Sequence, residues 1–237
     1  MSSILGIIPA RGGSKGIPRK NIIDLGGKPL IYYTIKTAKD SGILDRLILS
    51  SEDAEIIEIA KSLGVEVPFV HPSEYAQDHV GDQPVLQHAL KALDKMDHYQ
   101  PDLVLYLKPT IPFRASTDIK NVVEKLKNNN LDSVRTVTKT TGVNHPYWMF
   151  TMDDEGISHP LIPGKSIAKF PRRQLLPPVY RLNGVVEGLK PEFILHHNSI
   201  YGNKMGLVTV PEDRAVDIDT PADLDYARYI ISKTNPQ

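Results

Sequence analysis

Near the carboxyl end, AVDIDTPADLD sets Asp217 and Asp219 two residues apart, hence on one face of an extended segment. Carboxylates about 6.7 Å apart repel by roughly 2.5 kcal/mol at an effective dielectric of 20. A site that keeps both ionised therefore wants a cation between them, and Mg²⁺ suits, because it takes carboxylate oxygens together with substrate phosphates. The plainer alternative is that Asp219 sits at the positive end of the following helix, with Thr220 as N-cap and Pro221 in the first turn, while Asp217 faces water. At the other end, PARGGSKGIPRKN (9–21) combines three glycines with Arg11, Lys15, Arg19 and Lys20, directly after the apolar run ILGII. Glycines let backbone N–H groups approach an anion closely, and the cations can neutralise several phosphate charges. The spacing of Gly12, Gly13 and Gly16 matches neither GxGxxG nor GxxxxGK[ST], which argues against a dinucleotide enzyme and a P-loop NTPase. A solvated basic loop is the alternative. Taken together, a basic glycine loop and a late acidic pair suit attack on the α-phosphate of a nucleoside triphosphate.

Composition narrows the setting. The chain has 237 residues, 41% of them hydrophobic, enough for one large α/β domain with a small appended lobe. Lys plus Arg and Asp plus Glu balance at 28 each, so no global field draws it to nucleic acid or an anionic membrane, and any anion site is local. The absence of cysteine removes disulfides, thiolate metal sites and Cys nucleophiles. ILGII is too short for a signal segment and runs into Arg11, and no long uncharged apolar stretch follows, so the expectation is a soluble cytoplasmic protein.

Two-sided apolar runs alternate with segments of helical period: ILGII, then LIYYTIKTAKDSG; RLILSS, then DAEIIEIAKSLG; VEVPFV (65–70), then QPVLQHALKALDKM; DLVLYL, then STDIKNVVEKLKNNN; and LDSVRTV. This is the pattern of βαβ units around a mostly parallel sheet covered on both faces. From about 139 to 182 it gives way to a Pro-, Gly- and charge-rich stretch with a hairpin expected around Asp153 to Gly156, an excursion that reads as a lid or a dimer arm. NGVVEGL, GLVTVP and a terminal amphipathic helix complete the domain. His196 and His197 are adjacent and point apart, which argues against a metal pair, and Trp148 with Tyr147 and Phe150 is expected to pack the lobe or a dimer seam rather than to stack a base.

PARGGSKGIPRKN, GGKPL, SSED, HPSEYAQD, KPTIPFR, PRRQLLPPVYRLNG and VDIDT occur in the order found in the acylneuraminate cytidylyltransferase family, the CMP-sialic acid synthetase group, which the chain resembles over nearly its whole length. The resemblance implies a three-layer, Rossmann-like α/β fold of the nucleotide-diphospho-sugar transferase type, with residues 139–180 as an inserted dimerisation lobe. It implies that Ala10, Arg11, Gly12, Gly13, Ser14, Lys20 and Asn21 form the nucleotide loop, Arg11 and Lys20 holding the triphosphate and Asn21 helping to seat the base. His71 and Asp82 fall with the nucleotide, and Asp217 and Asp219 on the Mg²⁺ carboxylates. Lys108, Arg172, Arg181 and Asn183 fall on the acceptor side, where an Arg fork can grip an α-keto acid carboxylate.

The implied reaction joins CMP from CTP to a nonulosonic acid, with release of pyrophosphate, in a homodimer. Two departures from the family pattern bear on substrate. His71 stands where the family has a cytosine-contacting Arg and offers at most two donors against five. Lys108 stands where it has an acceptor-touching Gln; it would suit an extra anion on the acceptor, or else an internal partner such as Asp82 or Glu187. They sustain a rival that acts on a sugar phosphate, another phospho-acceptor, a different ulosonic acid or another NTP. A non-catalytic nucleotide or sugar binder is the rival from a different class.

Overall fold

The computed structural model describes residues 2–128, 130–197 and 199–234. In chain order the elements are β1 (Ile4–Pro9), β2 (Asp24–Leu25), β3 (Lys28–Pro29), α1 (Leu30–Asp40), β4 (Arg46–Ser50), α2 (Ala54–Ser62), α3 (Asp82–Asp97), β5 (Leu103–Tyr106) and α4 (Ser116–Asn128). There follow β6 (Ser133–Thr140), β7 (Phe150–Met152), β8 (Ser158–Pro160), β9 (Val179–Leu189), α5 (Pro191–His196), β10 (Met205–Thr209) and α6 (Pro221–Thr234). Asn129, in the triplet read as a helix stop, lies outside the described residues.

Six strands form the central sheet in the order β10-β6-β9-β5-β1-β4. β1 runs parallel to β4 and β5, and β10 parallel to β6; β9 alone is antiparallel to its neighbours. The sheet is buried on both faces, as the apolar runs require. Along β1, Ile4 and Ile8 join the layer packed by α1, α2 and α4, while Leu5 and Ile7 join the layer packed by α3 and α5. The short β2–β3 hairpin, Ile17 and α6 close a third cluster around Ile218 and Leu224 beside the site.

VEVPFV, expected as a strand, makes a single parallel bridge between Glu66 and Ile48. The Leu49 N–H reaches the Glu66 carbonyl and the Glu66 N–H reaches Leu47. Pro68 then has no N–H to continue the ladder, and the chain turns outward, leaving Val70 exposed. The β9 strand also starts earlier than NGVVEGL, because it pairs with β6 out to Thr140 and Val179 beyond an irregularity near Arg135. Residues 141–178 therefore leave the sheet from the far end of the β6–β9 pair. They contain the expected hairpin, β7 against β8, with Asp153 accepting from the Glu155 and Ile157 N–H groups and Gly156 at φ 81°. Trp148 Nε1 donates to the Phe170 carbonyl, and Tyr147 packs on the Phe170 ring, so Trp148 and Tyr147 pack the lobe through Phe170, while Phe150, expected with them, is 46% exposed.

Candidate active site

A cavity of about 530 Å³ opens beyond the carboxyl ends of β1, β4 and β5, where parallel sheets bind ligands and within the size range of small-molecule sites. Its walls bring the two ends of the chain together: Ala10, Arg11, Ser14, Lys15, Gly16, Lys20 and Asn21 line it beside Asp217 and Asp219. The glycine loop reaches that position through close backbone approaches. A Cβ on Gly16 would lie 2.2 Å from the Asp219 carbonyl oxygen, and one on Gly12 would lie 2.3 Å from an Asp53 carboxylate oxygen. The Gly12 N–H donates to Glu52 at 2.8 Å, and Asn21 Nδ2 holds the Arg11 carbonyl at 2.9 Å. Space is open beside Gly13. Arg19, counted in the sequence among the phosphate-neutralising cations, does not line the cavity and instead pairs with Asp53 and Glu55 at the start of α2.

The acidic segment is held by its middle. Ile218 is fully buried and its N–H donates to the Thr110 carbonyl at 2.9 Å, so Asp217 and Asp219 both project to the cavity side. Thr220 and Asp223 form a reciprocal cap on α6: the Thr220 N–H donates to Asp223 at 2.7 Å and the Asp223 N–H donates to Thr220 Oγ1 at 3.3 Å. Asp217 is exposed on its cavity side, and the protein around its carboxyl desolvates it in part. That desolvation pushes its carboxyl above the ordinary range, the Asp219 charge pushes the same way, and the Thr110 hydroxyl, Lys20 and Lys108 oppose them. Lys20 Nζ lies 2.7 Å from Asp219. A partly desolvated carboxylate beside a second one is a donor set that fits a hard divalent ion completed by phosphate and water. Among the described residues no cluster of three or more protein ligands exists, so an ion here would depend on the substrate for its remaining oxygens.

On the β4 side, His71 is buried, with its N–H on the Ser51 carbonyl and its Nδ1 3.1 Å from Ser50 Oγ. Its Nε2 has no partner. Burial pushes the imidazole below its ordinary value, against the Glu52 charge and with that of His88, so the ring is neutral at pH 7. Tyr75 meets it edge-on. On the β5 side, Lys108 pairs with Asp82 at 2.9 Å and lies 3.8 Å from Glu187, which is itself paired with Arg135. Tyr106 donates to Asp82 at 3.0 Å. Burial pulls the ammonium down, and Glu187 and Asp82 more than reverse it. The internal partners are thus the ones Lys108 has.

The three other acceptor-side residues do not line the cavity. Arg172 is exposed on the lobe. Arg181 pairs with Glu212 at 2.7 Å. Asn183 is buried, donating to Thr138 Oγ1 at 2.9 Å and accepting from the Val185 N–H at 3.2 Å, where it pins the start of the inner half of β9. Two contributors went unassigned in the sequence. Asp78 holds Arg11 at 2.8 Å and Lys15 at 2.6 Å, and Thr110 supports Asp217; both lie within the quoted motifs HPSEYAQD and KPTIPFR, but spacing gives neither a partner.

A nucleotide-sized cavity lined by clustered cations and two carboxylates, at the switch point of a mostly parallel sheet, defines a nucleotidyltransferase type of α/β protein. The chain belongs to the cytidylyltransferase family, whose model matches residues 5–234, and the resemblance read from its motifs holds. It is 34% identical over 229 residues to a pseudaminic acid cytidylyltransferase of Campylobacter jejuni, covering 97% of this chain and 96% of that one. It is 32% identical over 219 residues to an N-acylneuraminate cytidylyltransferase of Streptococcus agalactiae, covering 92% of this chain and 50% of that one. A solved CMP:2-keto-3-deoxy-manno-octonic acid synthetase complexed with CTP superposes with a TM-score of 0.73 at 16% identity, over 99% of this chain and 100% of that one; at that identity it speaks for the fold. No helix among the described residues is long and apolar enough to cross a membrane.

Proposed function

We propose that the protein transfers CMP from CTP to the anomeric hydroxyl of a nonulosonic acid and releases pyrophosphate, as a homodimer drawing on cytoplasmic CTP. The observation that carries this reading is the single cavity lined by Arg11, Lys15 and Lys20 together with Asp217 and Asp219. Arg11 and Lys15 leave Asp78 for the β- and γ-phosphates, and charge moving onto the leaving pyrophosphate is met by cations already in place. The buried His71, its Nδ1 on Ser50, walls the β4 side where the base would lie. The hydroxyl attacks the α-phosphorus in line, forming the new P–O bond as the bond to pyrophosphate breaks, and no covalent protein intermediate is required. Asp217 and Asp219 would hold Mg²⁺, which when bound polarises the α-phosphate and lowers the pKa of the attacking hydroxyl.

Pyrophosphate release measured across the four NTPs with sialic, pseudaminic, legionaminic and deoxyoctulosonic acids and several sugar phosphates tests the reading. Release is expected with CTP, Mg²⁺ and a free nonulosonic acid. Turnover of a phosphorylated acceptor alone, or nucleotide binding without release in any combination, would overturn it.

A further inference from the structure

We infer, on the footing of the function proposed above, that Asp78 is a positioning residue for product release: it holds Arg11 and Lys15 in the free enzyme, yields them to the triphosphate, and takes them back as pyrophosphate leaves. The segment ahead of α3 is tied to the glycine loop through these side chains. The Asp78 carboxylate lies 2.8 Å from Arg11 and 2.6 Å from Lys15, and Arg11 Nη1 also donates to the Ala76 carbonyl at 3.3 Å. Lys20 is paired with Asp219 and Lys108 with Asp82. Among the described residues, every lysine and arginine that lines the cavity therefore has a carboxylate partner, and a triphosphate enters by displacing carboxylates rather than by meeting free cations. Asp219, once it holds Mg²⁺, frees Lys20. Asp78 has no such second task, and of the carboxylates in the cavity wall it is the one that holds two of the cations.

What Asp78 does follows from when it competes. Before and after the α-phosphate is attacked, phosphate oxygens occupy the cations that Asp78 held, so its charge weakens CTP and pyrophosphate alike and leaves the barrier between the two bound states unchanged. It acts on the way out. A leaving group gripped by Arg11, Lys15 and Lys20 at once dissociates slowly, and a competing carboxylate already tethered beside two of them raises its off-rate. The geometry allows the exchange. The Lys15 side chain is 81% exposed and that of Asp78 40%, and ion pairs exposed to this degree are weak enough for either anion to win. The hydrogen bond to Lys15, then the charges of Lys15 and Arg11, hold the Asp78 carboxyl below the ordinary range, so it is ionised whenever it must compete. Among the described residues these two cations are its partners. The turn that carries it is closed by other bonds, from the Val80 N–H to the Gln77 carbonyl and from Gln77 Nε2 to the Ser73 carbonyl, so its charge can be removed without unbuilding the segment.

The test compares wild type, Asp78→Asn and Asp78→Glu by calorimetric binding of magnesium pyrophosphate, by steady-state turnover of CTP with a nonulosonic acid, and by the rate of CMP transfer in a single turnover. Asp78→Asn is expected to bind pyrophosphate about fivefold more tightly, to lower the CTP KM by about as much, and to lower kcat about threefold, while the single-turnover rate does not fall and a burst of CMP-sugar precedes the steady state. Asp78→Glu keeps the charge and is expected to stay within about twofold of wild type. Weaker binding of pyrophosphate and CTP by Asp78→Asn would make Asp78 a fixed support of Arg11 and Lys15, and unchanged binding would make it a bystander; either result overturns the inference and leaves the proposed transfer standing. A wild type that releases no pyrophosphate from CTP with any nonulosonic acid removes the proposed function, and the release role with it.

Discussion

Asp217 answers to two opposing demands. It has to be ionised to serve a cation, yet protein walls and the Asp219 charge raise its carboxyl above the ordinary 3.8. A carboxyl whose folded value lies above its unfolded one binds its proton more tightly in the native state. Its favourable contribution is full below the unfolded value and is lost as pH rises through the folded one. At neutral pH the ionised Asp217 therefore costs stability in the ligand-free protein. Asp217→Asn is expected to raise the melting temperature of the free enzyme at pH 7, with the gap over wild type closing as pH falls through the carboxylate range. Its kcat should fall by about 100-fold or more, because interactions worth several kcal/mol with a metal-bound transition state are lost. Thermal melts from pH 3 to 8 beside pyrophosphate release check both halves, and an Asn variant that melts lower yet turns over normally contradicts both. Residue types and order revealed the two ends of this site, since glycines, cations and paired aspartates state their chemistry by composition. The partnerships of Asp78 with Arg11 and of Thr110 with Asp217 span 67 and 107 positions, and no local pattern encodes them.

The loop after β5 shows how an element fixes those residues. KPTIPFR ends on Arg114, which is 3% exposed and donates to the Val185 carbonyl of β9, to Thr34 Oγ1 of α1 at 2.8 Å and to the Lys108 carbonyl at 2.9 Å. Burial pushes its guanidinium down to about 10, against the Asp118 and Asp217 charges, so it stays cationic at neutral pH. One side chain thus binds strand, helix and the Lys108 backbone. Arg114→Met is expected to cost about 3 kcal/mol or more, because it strands buried acceptors on three elements; the midpoint and slope of urea unfolding measure it. Arg114→Lys, with a point charge in place of the fork, should recover only part of the loss. The alternation of strands and helices was plain in the sequence because both sheet faces are buried. VEVPFV read as one more such run, since Val65 and Val67 pack into the layer with α2 and β4, but Pro68 limits the pairing to one bridge. The antiparallel direction of β9 was not legible: an apolar run carries no sign of which way it points, and here the lobe decides it by returning the chain from the far end of β6.

At the scale of the molecule, that lobe is the part whose own contacts leave the most unexplained. Its aromatic group around Trp148 and Phe170 is small, while Phe150, Met152, Ile157 and Leu161 stand 46%, 76%, 55% and 45% exposed on or beside the β7–β8 hairpin, and Tyr180 and Leu182 continue an exposed apolar surface onto β9. Water contact on this scale is costly for a hairpin of three-residue strands, since two short strands alone are marginal. A second copy of the chain would cover the hairpin and the outer end of β9 together, and it would fix the direction in which Arg172 and Arg181 face. Burying one such side chain is worth about 1.5–3 kcal/mol, so replacing Met152 and Leu161 together by Asp should weaken association by at least about 3 kcal/mol, more than 100-fold in the dissociation constant. The substituted positions are exposed in the single chain, so its folding should survive, with far-ultraviolet circular dichroism and the melting of the α/β domain close to those of wild type. Sedimentation velocity from 0.1 to 100 μM should find wild type as a dimer and Met152→Asp/Leu161→Asp as a monomer. A wild type that stays monomeric across that range would leave the lobe as a lid over its own cavity and remove the homodimer.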